Sequence, residues 1–127
     1  RRLHPWGQEW DPNLSNNFTL ADPTLKSRCA DFSAGKGTLP TGAIPGGASP
    51  CGALDMVGNV AEWCADEGQR GSARADPYGF GSWRWRMLCG GSWDSFPDRC
   101  SLVPPVSARS PEYGGTYAWG FRVAFSE

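Results

Sequence analysis

Gly52-Ala53-Leu54-Asp55-Met56-Val57-Gly58-Asn59-Val60-Ala61-Glu62-Trp63 is the stretch on which the reading of the fold turns. Gly58-Asn59 is a strong turn signal, so a tight turn is expected there, leading into a short strand. In that strand Val60, Glu62 and Cys64 share one face, with Ala61 and Trp63 on the other. From Ala65 to Gly81 the chain is polar and glycine-rich and reads as a surface loop. Trp83-Arg84-Trp85-Arg86-Met87-Leu88-Cys89 alternates and predicts a second strand, closed by Gly90-Gly91-Ser92-Trp93. A third strand is expected at Gly120-Phe121-Arg122-Val123-Ala124-Phe125, with Phe121, Val123 and Phe125 on one face. Upstream, residues 1–50 carry little periodicity and many turn formers, with room for one helix between residues 15 and 30.

The 127 residues make one domain, 39% apolar, with seven Trp to supply a core. No stretch approaches the roughly 20 apolar residues of a membrane span. Arg1-Arg2-Leu3-His4-Pro5 does not open a signal peptide, because no apolar run follows the arginines. Twelve basic and thirteen acidic side chains give no electrostatic support to a nucleic-acid partner. One histidine excludes any site needing two or three imidazoles from this chain. Seventeen Gly and eleven Pro argue for a loop-rich domain held by aromatic packing. Cys29, Cys51, Cys64, Cys89 and Cys100 include no CxxC pair, so zinc-ribbon and thioredoxin readings fail on spacing. One or two disulfides fit a secreted or surface protein and five thiols fit a cytoplasmic one; both remain open.

Four phrases, His4-Pro5-Trp6-Gly7, the 52–63 stretch, Gly90-Gly91-Ser92-Trp93 and Gly120-Phe121-Arg122, occur in the order and at the approximate spacing of one family. The chain resembles the second half of the formylglycine-generating enzyme (sulfatase-modifying factor) family across its whole length. The resemblance implies an α+β fold with little regular secondary structure, a variant of the C-type lectin fold with a small twisted antiparallel sheet and long loops. It also implies that residues 1–127 are the C-terminal portion of such a domain, the N-terminal half being absent. An open sheet edge would then call for cover by that half or by a protein partner. The family includes enzymes that oxidise a sulfatase cysteine with copper(I) held by two thiolates. It also includes domains that support iron-dependent sulfoxide synthases, and binding modules, among them variable proteins made by diversity-generating retroelements.

The family's calcium site would fall on the Asp55 side chain, the carbonyls of Gly58 and Val60, and Glu62, the mixed oxygen set that hard cations prefer. Its second site would use Asn17, the Phe18 carbonyl, Asp31 and a carbonyl near Ser33, in a loop of different length. Without calcium, Asp55 would cap the turn and Glu62 would face solvent or Arg122. The copper pair would fall on Ser95 and Cys100. A serine hydroxyl is a hard, neutral ligand where copper(I) demands soft thiolate, so copper is not expected, and Cys100 is only a residual catalytic candidate. His4 alone cannot build the three-histidine iron site of a sulfoxide synthase.

The resemblance implies that the segment 94–119 would be a long loop at the position of the family's substrate surface. Its Tyr, Ser, Gly and Arg suit a recognition loop. Retroelement diversification cannot yield Lys, Gln, Glu, Met or Trp, and here only Glu112 and Trp119 belong to that set. Asp94, Ser95, Phe96, Asp98, Arg99, Tyr113, Tyr117 and Trp119 are the candidate ligand contacts, with Trp93 and Phe121 anchoring the ends inside. The function expected from these residues is a non-catalytic, calcium-stabilised, lectin-like module binding a ligand or protein. The alternatives are a formylglycine-generating oxidoreductase and a structural or assembly subunit.

Overall fold

The computed structural model describes residues 2–29, 37–67, 86–101, 107–109 and 117–123. The one α-helix among them, α1 (Pro23–Lys26), falls inside the expected window and is a single turn. Asp22 caps it, its carboxylate accepting from the N–H groups of Thr24 (2.8 Å) and Leu25 (3.3 Å), and Pro23 presets the first helical dihedral. Leu25 and Cys29 then pack, with Ala43, against buried Leu20, Leu39 and Ile44, the apolar core of this half.

Four strands form one sheet in the order β3-β2-β1-β4: β1 (Ala61–Glu67), β2 (Arg86–Cys89), β3 (Ser107–Arg109) and β4 (Trp119–Gly120). The architecture is α+β with a small mixed sheet. It departs from the expected antiparallel sheet, because β4 runs parallel to β1, pairing Trp119 with Ala61 and Gly120 with Glu62. That register puts Trp119 on the Trp63 face, where the two indoles meet edge to face at 5.5 Å. The third strand is thus only two residues long, starts one residue earlier than expected, and leaves Phe121 and Val123 outside the ladder; Phe125 lies outside the described residues.

Two further expectations change. β1 continues through Ala65 to Glu67, where a loop was expected, because β2 offers backbone partners as far as Arg86 opposite Glu67. The segment 94–119 is not one irregular loop: its residues 107–109 pair antiparallel with β2. Ser-Ala-Arg has no strand pattern of its own, and the available β2 edge determines its conformation. Residues 83–85 of the expected second strand lie outside the described residues.

The predicted turn is present and is the structural knot of the molecule. Gly58 and Asn59 both have positive φ, 79° and 63°. A Cβ on Gly58 would lie 2.4 Å from the Asn16 carbonyl oxygen, so only glycine fits. Asn59 tolerates the left-handed region better than most residues, and its buried side chain uses the resulting position. Its Oδ1 accepts from Leu39 N–H (2.8 Å) and Asn16 Nδ2 (3.1 Å), and its Nδ2 donates to the Leu39 carbonyl (3.2 Å). Its own N–H donates to the Asn16 carbonyl (2.7 Å), and its carbonyl accepts from Trp93 N–H (3.0 Å). No described helix is long and apolar enough to cross a membrane.

Asn59→Gly keeps the backbone conformation and removes the amide, leaving the Leu39 N–H and carbonyl buried without it. Urea denaturation should show a loss of about 2–4 kcal/mol, since an unsatisfied buried group costs roughly 1–3 kcal/mol. An unchanged midpoint would remove Asn59 from this role.

Candidate functional site

The turn delivers Asp55 and Glu62 to one side of the molecule, and a guanidinium meets them there. Arg122 Nε donates to Glu62 Oε2 at 2.5 Å and Nη2 to Oε1 at 2.6 Å, a two-pronged pair. The same guanidinium donates to the carbonyls of Leu54 (3.0 Å) and Asp55 (3.1 Å). It therefore ties the entry of the turn to the strand that leaves it. Hydrogen bonding to Glu62 raises the pKa of Arg122 above its ordinary high value. The Asp55 carboxylate takes the Gly42 N–H at 2.7 Å, while its own backbone is left-handed (φ 54°). Both carboxylates of the first expected calcium set thus accept from protein donors, Asp55 from the Gly42 N–H and Glu62 from Arg122.

Of the second expected set, Asn17 is fully buried, its Oδ1 accepting from Thr19 N–H (2.7 Å) and hydroxyl (2.6 Å). Its Nδ2 donates to the carbonyls of Pro12 and Ser15. Phe18 is exposed, and Asp31 and Ser33 lie outside the described residues.

The Ser92–Cys100 segment holds itself together. Ser92 N–H donates to the Ser95 hydroxyl (3.0 Å), the Ser92 hydroxyl donates to Asp94 (2.5 Å), and Arg99 and Cys100 close a one-turn 3₁₀ helix (Pro97–Arg99). Cys100 is fully buried, with its sulfur 3.8 Å from the Ser95 carbonyl. His4 is also buried: Nδ1 donates to the Cys100 carbonyl (3.1 Å), and the ring stacks on Trp6 and meets the edge of Trp10. The segment is joined to the first part of the chain by Phe18 N–H donating to the Ser95 carbonyl (3.0 Å), which sets the Phe18 and Phe96 rings 4.5 Å apart.

The profile of the sulfatase-modifying factor enzyme 1-like domain matches residues 1–127, the whole chain. The chain belongs to the sulfatase-modifying factor family. It is also similar to hercynine oxygenase of Mycobacterium tuberculosis, 40% identical over 63 residues. That match covers 50% of this chain and 12% of the relative.

Within this sulfatase-modifying factor domain the candidate contact residues separate into groups. Asp94, Phe96, Asp98, Arg99 and Tyr117 are exposed, Phe96 at 55% and Tyr117 at 64%. Ser95 is half-buried and engaged within its turn. Trp119 is a half-buried strand residue rather than an exposed loop residue, and Tyr113 lies outside the described residues. Trp93 anchors one end inside as expected, stacked with Tyr117, whereas Phe121 is 76% exposed and anchors nothing. β4 ends at Gly120, so nothing in the ladder turns Phe121 inward. Sequence reasoning missed the grip of Arg122 on the Leu54 and Asp55 carbonyls and the packing of His4. The first leaves no trace in residue spacing because its acceptors are backbone atoms.

Arg122→Gln removes the guanidinium from Glu62 and from two carbonyls. The pair is partly solvent-exposed, so screening limits its worth. Chemical denaturation should register a loss of about 1 kcal/mol, and a neutral result would show that the clamp is dispensable.

Proposed function

We propose that this chain is a non-catalytic binding module of its family, built as the lectin-like variant of the fold and presenting the Ser92–Cys100 turn to a protein partner. The observation that carries this reading is Ser95. At the position where the family resemblance places the first copper thiolate, a hydroxyl is bonded into its own turn, while Cys100 is sealed in the interior. The turn instead directs Asp94, Phe96, Asp98 and Arg99 to solvent, an aromatic flanked by charges of both signs. Phe18 adds a second exposed ring beside Phe96. Aromatic residues with an adjacent arginine are favoured contact chemistry at protein interfaces.

Calcium belongs to this proposal as a structural brace held by Asp55 and Glu62 with the carbonyls of Gly58 and Val60. Because Arg122 already neutralises Glu62, the ion has to draw that carboxylate away from the guanidinium. The Arg122→Gln protein is therefore the one in which added calcium should restore stability.

A second reading, an oxidoreductase part acting within a larger assembly, has the similarity to hercynine oxygenase in its favour. In this chain the one imidazole, His4, is committed to the Cys100 carbonyl and two indoles.

Anaerobic titration with copper(I) tests the choice. The protein should show no stoichiometric uptake at the Ser95–Cys100 position, and Ser95→Cys should create one equivalent. Tight binding by the unmodified chain that Cys100→Ser abolishes would overturn the non-catalytic reading.

The exposed surface has its own check. A solvatochromic apolar dye should bind the native chain, and Phe18→Ser with Phe96→Ser should lower that signal more than Phe121→Ser does. Stability should stay within about 0.5 kcal/mol for each change, as at other surface sites. A large stability loss would make these rings core.

A further inference from the structure

Sheet pairing brings together two thiols that the proposed binding role does not use. Glu62 lies opposite Cys89 and Trp63 opposite Leu88, so Cys64 of β1 and Cys89 of β2 are diagonal neighbours on one face. In a regular antiparallel ladder such diagonals have Cα atoms roughly 7–8 Å apart, at or beyond the limit for a disulfide. This ladder slips immediately after Trp63: four steps along β1, from Trp63 to Glu67, match two along β2, from Leu88 to Arg86. At the start of that irregularity the two sulfur atoms approach to 3.2 Å. Both side chains are half-buried, open enough to be reached by a small reagent.

A tetrahedral zinc site would hold two sulfurs about 3.8 Å apart, from a Zn–S distance of about 2.3 Å, and would need further ligands. Among the described residues no group of three or more His, Cys, Asp or Glu is placed to hold a metal. A disulfide needs about 2.05 Å, a closure of little more than 1 Å. The remaining cysteines are differently placed. Cys100 is fully buried, Cys29 lies against the Leu25 carbonyl, and exposed Cys51 is 3.1 Å from the Ser49 hydroxyl.

We propose that Cys64 and Cys89 form a reversible disulfide that staples β1 to β2, made by exchange with a low-molecular-weight disulfide. One cysteine loses its proton and its thiolate attacks a sulfur of the reagent. A mixed disulfide forms, and the first small thiolate leaves and takes up a proton. The second cysteine, deprotonated in turn, attacks the protein-side sulfur. The Cys64–Cys89 bond forms as the mixed disulfide breaks, and the second small thiolate leaves and is protonated. Two protein thiols are oxidised and one reagent disulfide is reduced to two thiols. The bond closes a covalent ring from residue 64 to residue 89. This proposal is independent of the binding role.

Treatment of the folded chain with oxidised glutathione, followed by intact-mass measurement and peptide mapping, tests it. The expected result is a 64–89 cross-link with the loss of two hydrogens at that pair, no glutathione retained on Cys64 or Cys89, any adduct confined to exposed Cys51, and reversal by a dithiol reductant. Cys51→Ser should form the same cross-link and carry no glutathione at all. Cys64→Ser and Cys89→Ser should each retain one glutathione on the remaining member, and Cys64→Ala serves if the serine disturbs folding. Formation of the internal bond should be at least tenfold faster than any cross-link involving Cys29, Cys51 or Cys100. Stable glutathione adducts on both cysteines of the unmodified chain, a preferred cross-link to another cysteine, or no reaction at either thiol would overturn the proposal.

Discussion

The buried amide of Asn59 is the interaction on which the other parts depend. A left-handed non-glycine residue costs about 1–2 kcal/mol, and here three side-chain and two backbone hydrogen bonds offset it. Their partners come from three separate stretches, at Asn16, Leu39 and Trp93. Where the described residues hold one α-helical turn and short strands, long connections have no ladder to fix them. A polar knot supplies the fixing that regular structure supplies elsewhere, and it works because the Asn59 side chain and backbone find partners inside rather than being left bare. Gly58 allows the close approach of the Asn16 carbonyl that the knot requires, and Gly91 allows that of the Arg99 carbonyl to the segment beside it. A Cβ on Gly91 would lie 2.9 Å from the Cys100 sulfur, so the glycine also sets how tightly Cys100 can be sealed.

Local chemistry made some of this legible in advance. The Gly58-Asn59 turn, the strand that follows it and the Arg86–Cys89 strand all follow from residue type and alternation. The family phrases were equally readable, because each is a contiguous run of residues. β3 and the parallel direction of β4 were not readable, since Ser107–Arg109 and Trp119–Gly120 are too short to carry a period. Their conformation comes from the edges of β2 and β1. Phe121 misled for the same reason: alternation around it suggested a strand, while the ladder stops one residue earlier.

At the candidate site, residue type named the participants and geometry assigned their partners. Asp55 and Glu62 were identifiable as oxygen donors; that a guanidinium from near the end of the described chain would hold Glu62 and two carbonyls depends on β4 lying beside β1. Arg122 does here what a structural cation would do, neutralising a carboxylate and pinning carbonyls, with the charge supplied by the chain itself. The parallel pairing of two residues is therefore what brings that charge to the turn.

The Ser92–Cys100 turn has one more consequence. Its stabilising bonds run among Ser92, Asp94, Ser95 and the 3₁₀ backbone, and its anchors, Trp93 and Cys100, point inward. Among the described residues the outward side chains of Asp98 and Arg99 take no part in those bonds, and the Phe96 ring meets only the exposed Phe18 ring. Framework and exposed surface thus fall largely on different residues of the same short segment. Lineages carrying this domain can therefore change those outward positions, one at a time, without rewriting the grammar that keeps the turn folded.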